Sequence, residues 1–340
     1  DYPIYTRKKA SLDNPEELVF DCNKMAEGES YFKLVGISIS PDNNLVSYGI
    51  DTTGRRNYTL HVKNLNTHEV ASDRIESTTG SSSWANDNKT LFYTKKDEVT
   101  LRAYQIYKHR LGETKDDLIF EEGDDTFGVA VYKSKSRKYI IIACYSTLTN
   151  QYYTLRADKP EEKFEMFQER IRGLEYNISH YDDHFYILTN MDESINFKLK
   201  KTPEAHTKIE NWTEVLAHRD DVLLESIDIF KEYLVISERS NGLNLIRIKR
   251  WNGSEDYYLP FDNETYTCYT GTNVDFDTEI LRYGYNALTT PSSVIDFNMR
   301  TKTKIVRKEQ EVLGGKFKKE NYISERIWAT AEDGTKIPMS

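Results

Sequence analysis

Few residues in this chain stand at spacings that support chemistry, and each such group has a plainer reading beside the reactive one. His180 and His184 are four apart, the spacing that grips a metal from one face of a helix. They flank the turn residues Asp182-Asp183 between two β-rich runs, so they are expected to face solvent and bind no metal. Asp124-Asp125 and Asp220-Asp221 are paired carboxylates, the type used for acid–base work. In a strand-rich chain such pairs end strands or cap turns. Glu121-Glu122 and Glu161-Glu162 read as solvated surface. Gly80-Ser81-Ser82-Ser83 is a polar stretch entering a strand. A hydrolase nucleophile needs G-x-S-x-G, whose strained strand-to-helix turn projects the hydroxyl, and the sequence has none. Nor does it contain H-E-x-x-H or a P-loop, so no catalytic residue, metal or cofactor is assigned. Arg55-Arg56 is the most suggestive pair. Adjacent guanidiniums repel unless carboxylates answer them, so the pair either faces solvent or makes charge pairs across an interface.

Composition narrows the classes. Apolar residues make up 38% of the 340 and charged residues 30%, which describes a globular chain. There are 24 Tyr against 16 Gly, a lean toward strand. A net charge of −9 argues against a nucleic-acid partner. No apolar stretch is long enough for a membrane helix, so no membrane association is expected. Cys22, Cys144 and Cys268 are odd in number and lack metal spacing, which fits a reducing compartment. A cytoplasmic location is expected, with the periplasm left open. The sequons at Asn57, Asn88, Asn177, Asn211, Asn252 and Asn263 are read as chance matches. The chain opens on Asp1 and not on Met, as a segment excised from a longer chain would.

The elements that must hold these residues follow from a repeat. A polar turn between two β-rich runs recurs at Asp42, Asp87, Lys135, Asp182, Lys231 and Asp277, at intervals of roughly 45 to 49 residues. Two more strand-like runs follow most turns, such as NYTLHVKNL, YQIYKHRL with DLIFEE, and LNLIRIKR with DYYLPF. The fourth strand near residue 70 is faint. Four short antiparallel strands per unit is the signature of a β-propeller. Six whole units span about 31–312. Pro3–Arg7 and Leu18–Asp21 look like two strands of another, whose inner strands lie upstream of Asp1 or come from the C-terminal end. The count is thus seven blades, with residues 1–30 a partial first one. No Gly-His…Trp-Asp pairing recurs, which excludes a WD40 array. Helix is confined to a turn within Glu16–Gly28 and another at Asn321-Tyr322. The rhythm predicts a turn near residue 323, but Asp333-Gly334 instead marks a hairpin. The expected division is a propeller over 1–319 and the start of a different domain over 320–340.

Several strings carry a resemblance. They include Asp51-Thr52-Thr53-Gly54-Arg55-Arg56, Trp84-Ala85-Asn86-Asp87, His218-Arg219-Asp220-Asp221, Glu238-Arg239-Ser240-Asn241-Gly242, Leu288-Thr289-Thr290-Pro291-Ser292-Ser293 and Ala331-Glu332-Asp333-Gly334-Thr335. In order and spacing they resemble the oligopeptidase B (protease II) branch of the prolyl oligopeptidase family, from residue 2 to the end. The resemblance implies an all-β, seven-bladed propeller with no sealed closing blade, covering an α/β-hydrolase domain that carries Ser, Asp and His. It implies a cytoplasmic serine-type endopeptidase that cleaves short basic peptides after Lys or Arg and rejects folded proteins. The triad belongs to the other domain, so no position here inherits it, and this chain alone is expected to be inactive. The resemblance also implies a segment that precedes the propeller, and residues 1–340 are expected not to include it. Arg55 or Arg56 falls where the family places an interdomain salt-bridge arginine, a gating role. The competing readings are a stand-alone propeller serving as a protein-interaction scaffold, and a propeller with its own active site. The first would show a stop codon after Ser340. The second would need polar groups converging on the axis, and the sequence shows no obvious set.

Overall fold

Tyr139–Cys144 and Tyr233–Ile236 are apolar on consecutive residues, so such strands need cover on both faces. In the computed structural model, which describes residues 2–340, both runs are buried, each as the second strand of a four-stranded antiparallel meander. The chain forms two compact units, Asp1–Gly173 and Leu174–Ser340.

The first unit begins with a two-stranded sheet, β1 (Ile4–Lys8) against β2 (Glu16–Asp21). A single helical turn, α1 (Cys22–Met25), follows, and the Asp21 carboxylate accepts the N–H groups of Asn23 and Lys24 at its start. Next come β3 (Lys33–Ile39), β4 (Leu45–Asp51), β5 (Tyr58–Asn64), β6 (Val70–Trp84), β7 (Thr90–Lys96), β8 (Ala103–Arg110) and β9 (Asp117–Glu121), joined in one seven-stranded sheet. A four-stranded sheet of β10 (Gly128–Lys133), β11 (Tyr139–Tyr145), β12 (Asn150–Arg156) and β13 (Glu165–Met166) ends the unit.

The second unit holds three more meanders. They are β14 (Tyr176–Tyr181), β15 (His184–Thr189), β16 (Lys198–Pro203) and β17 (Thr213–Leu216); β18 (Val222–Ile229), β19 (Tyr233–Ser240), β20 (Leu243–Arg250) and β21 (Asp256–Tyr258); and β22 (Thr267–Thr270), β23 (Ile280–Ala287), β24 (Thr290–Asn298) and β25 (Lys304–Glu309). A hairpin of β26 (Ile327–Thr330) and β27 (Lys336–Met339) follows, with Gly334 at φ 87° in its turn. Short helical turns fall at Cys22–Met25 and Lys319–Asn321, as expected, and also at Ile209–Asn211, which was not expected from the sequence.

The seven-stranded sheet is two meanders fused through β6. The first half of β6 is the outer strand against β5, and its second half is the first strand against β7. This strand was faint in sequence because its first half is an edge, where of Val70–Glu76 only Ile75 is buried. Six meanders therefore run from Lys33 to Glu309, with their first turns at the six expected places. Asp42 and Asp87 explain the turn chemistry. Each carboxylate accepts the backbone N–H two residues on, at 3.1 and 3.0 Å, while Asn43 and Asn88 take left-handed φ.

The core is built by neighbouring meanders packing face to face. Phe92 and Ile106 meet Val129, Val131, Ile140, Ile142 and Leu155 in the first unit. Val235, Ile246 and Ile248 meet Leu281, Tyr283, Ile295 and Phe297 in the second. Each such side chain contributes roughly 1.5–3 kcal/mol on burial. Successive strands alternate in direction. The second-to-third connection and the exit to the next meander therefore leave from one end of a sheet, here called the upper end.

Where β6 passes from one meander to the next, backbone meets backbone. A Cβ on Gly36 would lie 1.9 Å from the Gly80 carbonyl oxygen, and one on Gly49 would lie 2.5 Å from the Gly80 Cα. Gly80 has φ +86°, and a Cβ on it would sit 2.4 Å from Val35 Cγ2. Gly80→Ala should therefore cost about 3 kcal/mol, from overpacking plus backbone strain. Gly173 shares the positive φ but has nothing within 4 Å. Gly173→Ala should cost only about 1 kcal/mol. Urea midpoints of the two variants check the contrast, and equal losses would show that close packing at Gly80 is not limiting.

Candidate functional site

Asp51 ends β4 with its side chain turned inward, 1% exposed. One carboxylate winds up the whole connection to β5. Its Oδ1 accepts the Thr53 N–H at 2.8 Å, the Thr53 hydroxyl at 2.7 Å and the Gly54 N–H at 3.1 Å, while Oδ2 accepts the Arg56 N–H at 2.7 Å. Burial pushes this carboxyl up, but the Thr53 hydroxyl and the three amides outweigh it and hold it below the usual carboxylate range. The loop is fixed from within by neutral donors, so no guanidinium is consumed in holding it. Arg55 and Arg56 are exposed, and among the described residues neither makes an ion pair. Behind them Lys96 is 8% exposed, its ammonium 5.6 Å from the centre of the Tyr58 ring. Burial lowers its pKa, partly offset by Asp51. The loop thus presents two free cations at the upper end of its meander.

Two further buried carboxylates organise upper ends: Glu122, which was expected on the solvated surface but is drawn inward by Arg170, and Glu238, which stands out in the sequence only within a string that carries the resemblance. In the first unit Glu122, 6% exposed, takes Arg170 Nη2 at 2.5 Å, and the Arg170 guanidinium lies 3.6 Å from the Phe127 ring centre. Arg102 Nη1 donates to the carbonyls of Glu122, Asp124 and Phe127 and so pins that loop. Asp124 caps its turn as expected, accepting the Thr126 N–H and hydroxyl. In the second unit Glu238 is fully buried. It accepts Arg219 Nη2 at 2.8 Å, the Tyr258 hydroxyl at 2.6 Å and Arg247 Nη1 at 3.4 Å. Two of the strings singled out in the sequence, around Arg219 and Glu238, therefore meet at one ion pair.

The histidine pair differs from expectation. His180 is 3% exposed, because its register position on β14 points inward, where its ring meets Phe185 edge-on at 5.1 Å and Nε2 bonds Glu204. His184 is only partly covered and bonds its neighbour Asp183. Among the described residues no three His, Cys, Asp or Glu side chains converge to hold a metal. Ser82 Oγ pairs with Ser47 Oγ at 2.8 Å inside the sheet, away from any imidazole hydrogen bond. All three cysteines are buried thiols, and burial pushes Cys144 and Cys268 up to about 12, so neither is a thiolate near neutrality.

Comparison with known proteins fits this arrangement of meanders with charged upper ends. Residues 1–310 match the N-terminal β-propeller domain of prolyl oligopeptidase. Dipeptidyl aminopeptidase BI of Pseudoxanthomonas mexicana is 34% identical over 361 residues, covering 100% of this chain and 49% of the relative. Protease 2 of Moraxella lacunata is 31% identical over 348 residues, with 100% and 49% covered. Among solved structures, oligopeptidase B from Leishmania major superposes with a TM-score of 0.88 at 27% identity, over 98% of this chain and 49% of that one. Oligopeptidase B from Trypanosoma brucei with covalently bound antipain, in its closed form, gives 0.88 at 28%, over 99% and 49%. The chain spans about half the length of the curated relatives it matches. The meanders are thus blades of an all-β propeller, and the chain belongs to the prolyl oligopeptidase family as its N-terminal β-propeller domain.

Proposed function

We propose that this propeller covers an α/β-hydrolase domain of the same polypeptide and filters substrates by size for a serine peptidase that cleaves short peptides after Lys or Arg. The observation that carries the reading is the match of the whole chain, at 34% and 31% identity, to one half of two proteins named as peptidases. Two features of the molecule support it. Arg55 and Arg56 are free cations on a loop held rigid by Asp51, suited to charge pairing with a facing domain. Residues 312–339 expose Leu313 (79%) and Ile323 (81%) beside Val312, Tyr322 and Trp328, an apolar run that another domain would cover. We place the boundary between the propeller, 1–319, and the hydrolase domain, 320–340 onward. Three free cysteines support a reducing, cytoplasmic setting. The relative named as a dipeptidyl aminopeptidase supports a second mode, release of dipeptides from a free N-terminus.

The open reading frame beyond Ser340 tests the reading first. A G-x-S-x-G elbow followed by Asp and His supports it, and a stop codon there removes it. The 340 residues by themselves should not turn over an arginyl amide reporter. Turnover that survives repurification would show a site within the propeller. In the longer protein, an N-blocked reporter and a free dipeptidyl-arginyl reporter separate the two modes.

The arginine loop gives a further expectation. In this chain Arg55→Ala with Arg56→Ala should change stability by no more than about 0.5 kcal/mol, as for exposed side chains. In the longer protein the same pair should alter kcat/KM or its dependence on salt, since interdomain ion pairs are screened. Unchanged kinetics would remove the gating role. Asp51→Ala should cost about 1–3 kcal/mol because it removes the acceptor of four part-buried hydrogen bonds. The Asp51 contribution is complete above the unfolded carboxyl pKa of about 3.9 and fades as pH falls below it. The gap between the urea midpoints of wild type and variant should therefore be smaller at pH 3 than at pH 7.

A further inference from the structure

We propose that the upper end of the β10–β13 blade carries a binding subsite for the free C-terminal carboxylate of a peptide whose last side chain is apolar. A cleft of about 700 Å³ opens there, lined by Phe127, Thr147, Leu148, Thr149, Arg170 and Arg172 among others. It is assembled from three upper-end segments of one unit: the entry to β10, the β11–β12 loop and the exit from β13.

Its walls are preorganised. Arg102 ties the entry loop through three carbonyls, and Glu122 fixes Arg170 on the Phe127 ring. The Gly173 N–H donates to the Thr149 hydroxyl and locks the exit segment to the β11–β12 loop. The electrostatics are unbalanced by one charge. Arg170 and Arg172 line the cleft against Asp124. Arg102 is engaged by carbonyls and by the Tyr104 ring, and makes no ion pair among the described residues. Arg172 is exposed and likewise makes none, and the Thr147 hydroxyl, which lines the same cleft, has no hydrogen-bond partner among them.

This donor set selects the ligand. One excess guanidinium with a free hydroxyl matches a monoanion, since a doubly charged phosphate would be repelled by Asp124 and Glu122. Leu148, 61% exposed, supplies apolar contact in the same cleft. A peptide C-terminus presents its carboxylate and last side chain on one carbon, and so meets both at once. A subsite of this kind reads how far a peptide extends and favours short ones. That use rests on the proposed peptidase reading, whereas the binding itself does not.

Calorimetric titration of the 340-residue chain with N-acetyl-alanyl-leucine, its C-terminal amide and N-acetyl-glutamate amide tests the assignment. The free acid should bind about tenfold or more tightly than the amide, because a charged hydrogen-bond pair is lost. Arg172→Gln should weaken the acid by a similar factor and leave the amide unchanged. Leu148→Ser should weaken the leucine acid and spare N-acetyl-alanyl-glycine. Both side chains are exposed, so both variants should fold. Equal binding of acid and amide, no effect of Arg172→Gln, or equally tight binding of the glutamate side chain would overturn the proposal. Selective acid binding together with a stop codon directly after Ser340 in the reading frame would sink the peptidase reading and leave the subsite standing.

Discussion

Burial of the second strand of each meander from both sides is the constraint on which the rest of the molecule depends. Ile140, Ile142, Val235 and Ile236 are at most 0% exposed, so their strands cannot carry a charge in mid-run without losing several kcal/mol. Polar chemistry on these two strands is therefore displaced to their ends and connections. The same packing brings the two fused meanders so close at one crossing that only glycine fits, at Gly36, Gly49 and Gly80. Tight packing and charged ends are two consequences of one geometry.

A carboxylate driven inward at a strand end must be answered, and the way it is answered decides what remains for function. Glu238 and Glu122 are answered by guanidiniums, Arg219 and Arg247 in one case and Arg170 in the other. Such pairs are costly to break from one side, about 3–5 kcal/mol, and their arginines are committed to structure. Asp51 is answered by backbone amides and one hydroxyl. Its neighbours Arg55 and Arg56 keep their charge for something outside the loop. Upper-end arginines thus fall into locked and free classes, and the distinction lies in which donors reach the carboxylate.

The sequence displayed whatever depended on local chemistry. Turn residues at fixed intervals located all six meanders, and the continuous apolar run at Tyr139–Cys144 marked a strand covered on both faces. It was mute where the partner lies across a register. Arg219 and Glu238 are 19 residues apart and meet only because β18 and β19 pair as they do. No pattern in the chain announces Glu122 with Arg170, which are 48 apart. His180 misled for the same reason. Its nearness to a turn suggested solvent, but alternation along β14 sets its side chain on the covered face. Arg55-Arg56 was visible as an oddity with two explanations, and only the four hydrogen bonds to Asp51 explain why the pair stands free.

The two-stranded sheet at the start of the first unit adds a last step. Two strands alone are marginal in water. Here they are held by lending Val19 and Phe20 to a cluster with Phe32, Leu34, Val46 and Tyr48 of the next blade. Lys63 Nζ donates to the Val19 carbonyl, and Arg7 reaches the Leu65 carbonyl. All these anchors lie on or beside β3–β5, and the connection from β4 to β5 is the Asp51 loop. Any force that shifts β4 or β5 is felt both by the weakest sheet of the unit and by its two free arginines. Opening free energies are lowest where buried apolar contacts are fewest. A motion of the Arg55-Arg56 loop would thus draw on the part of the unit that yields most easily, while the doubly covered β11 of the same unit stays fixed.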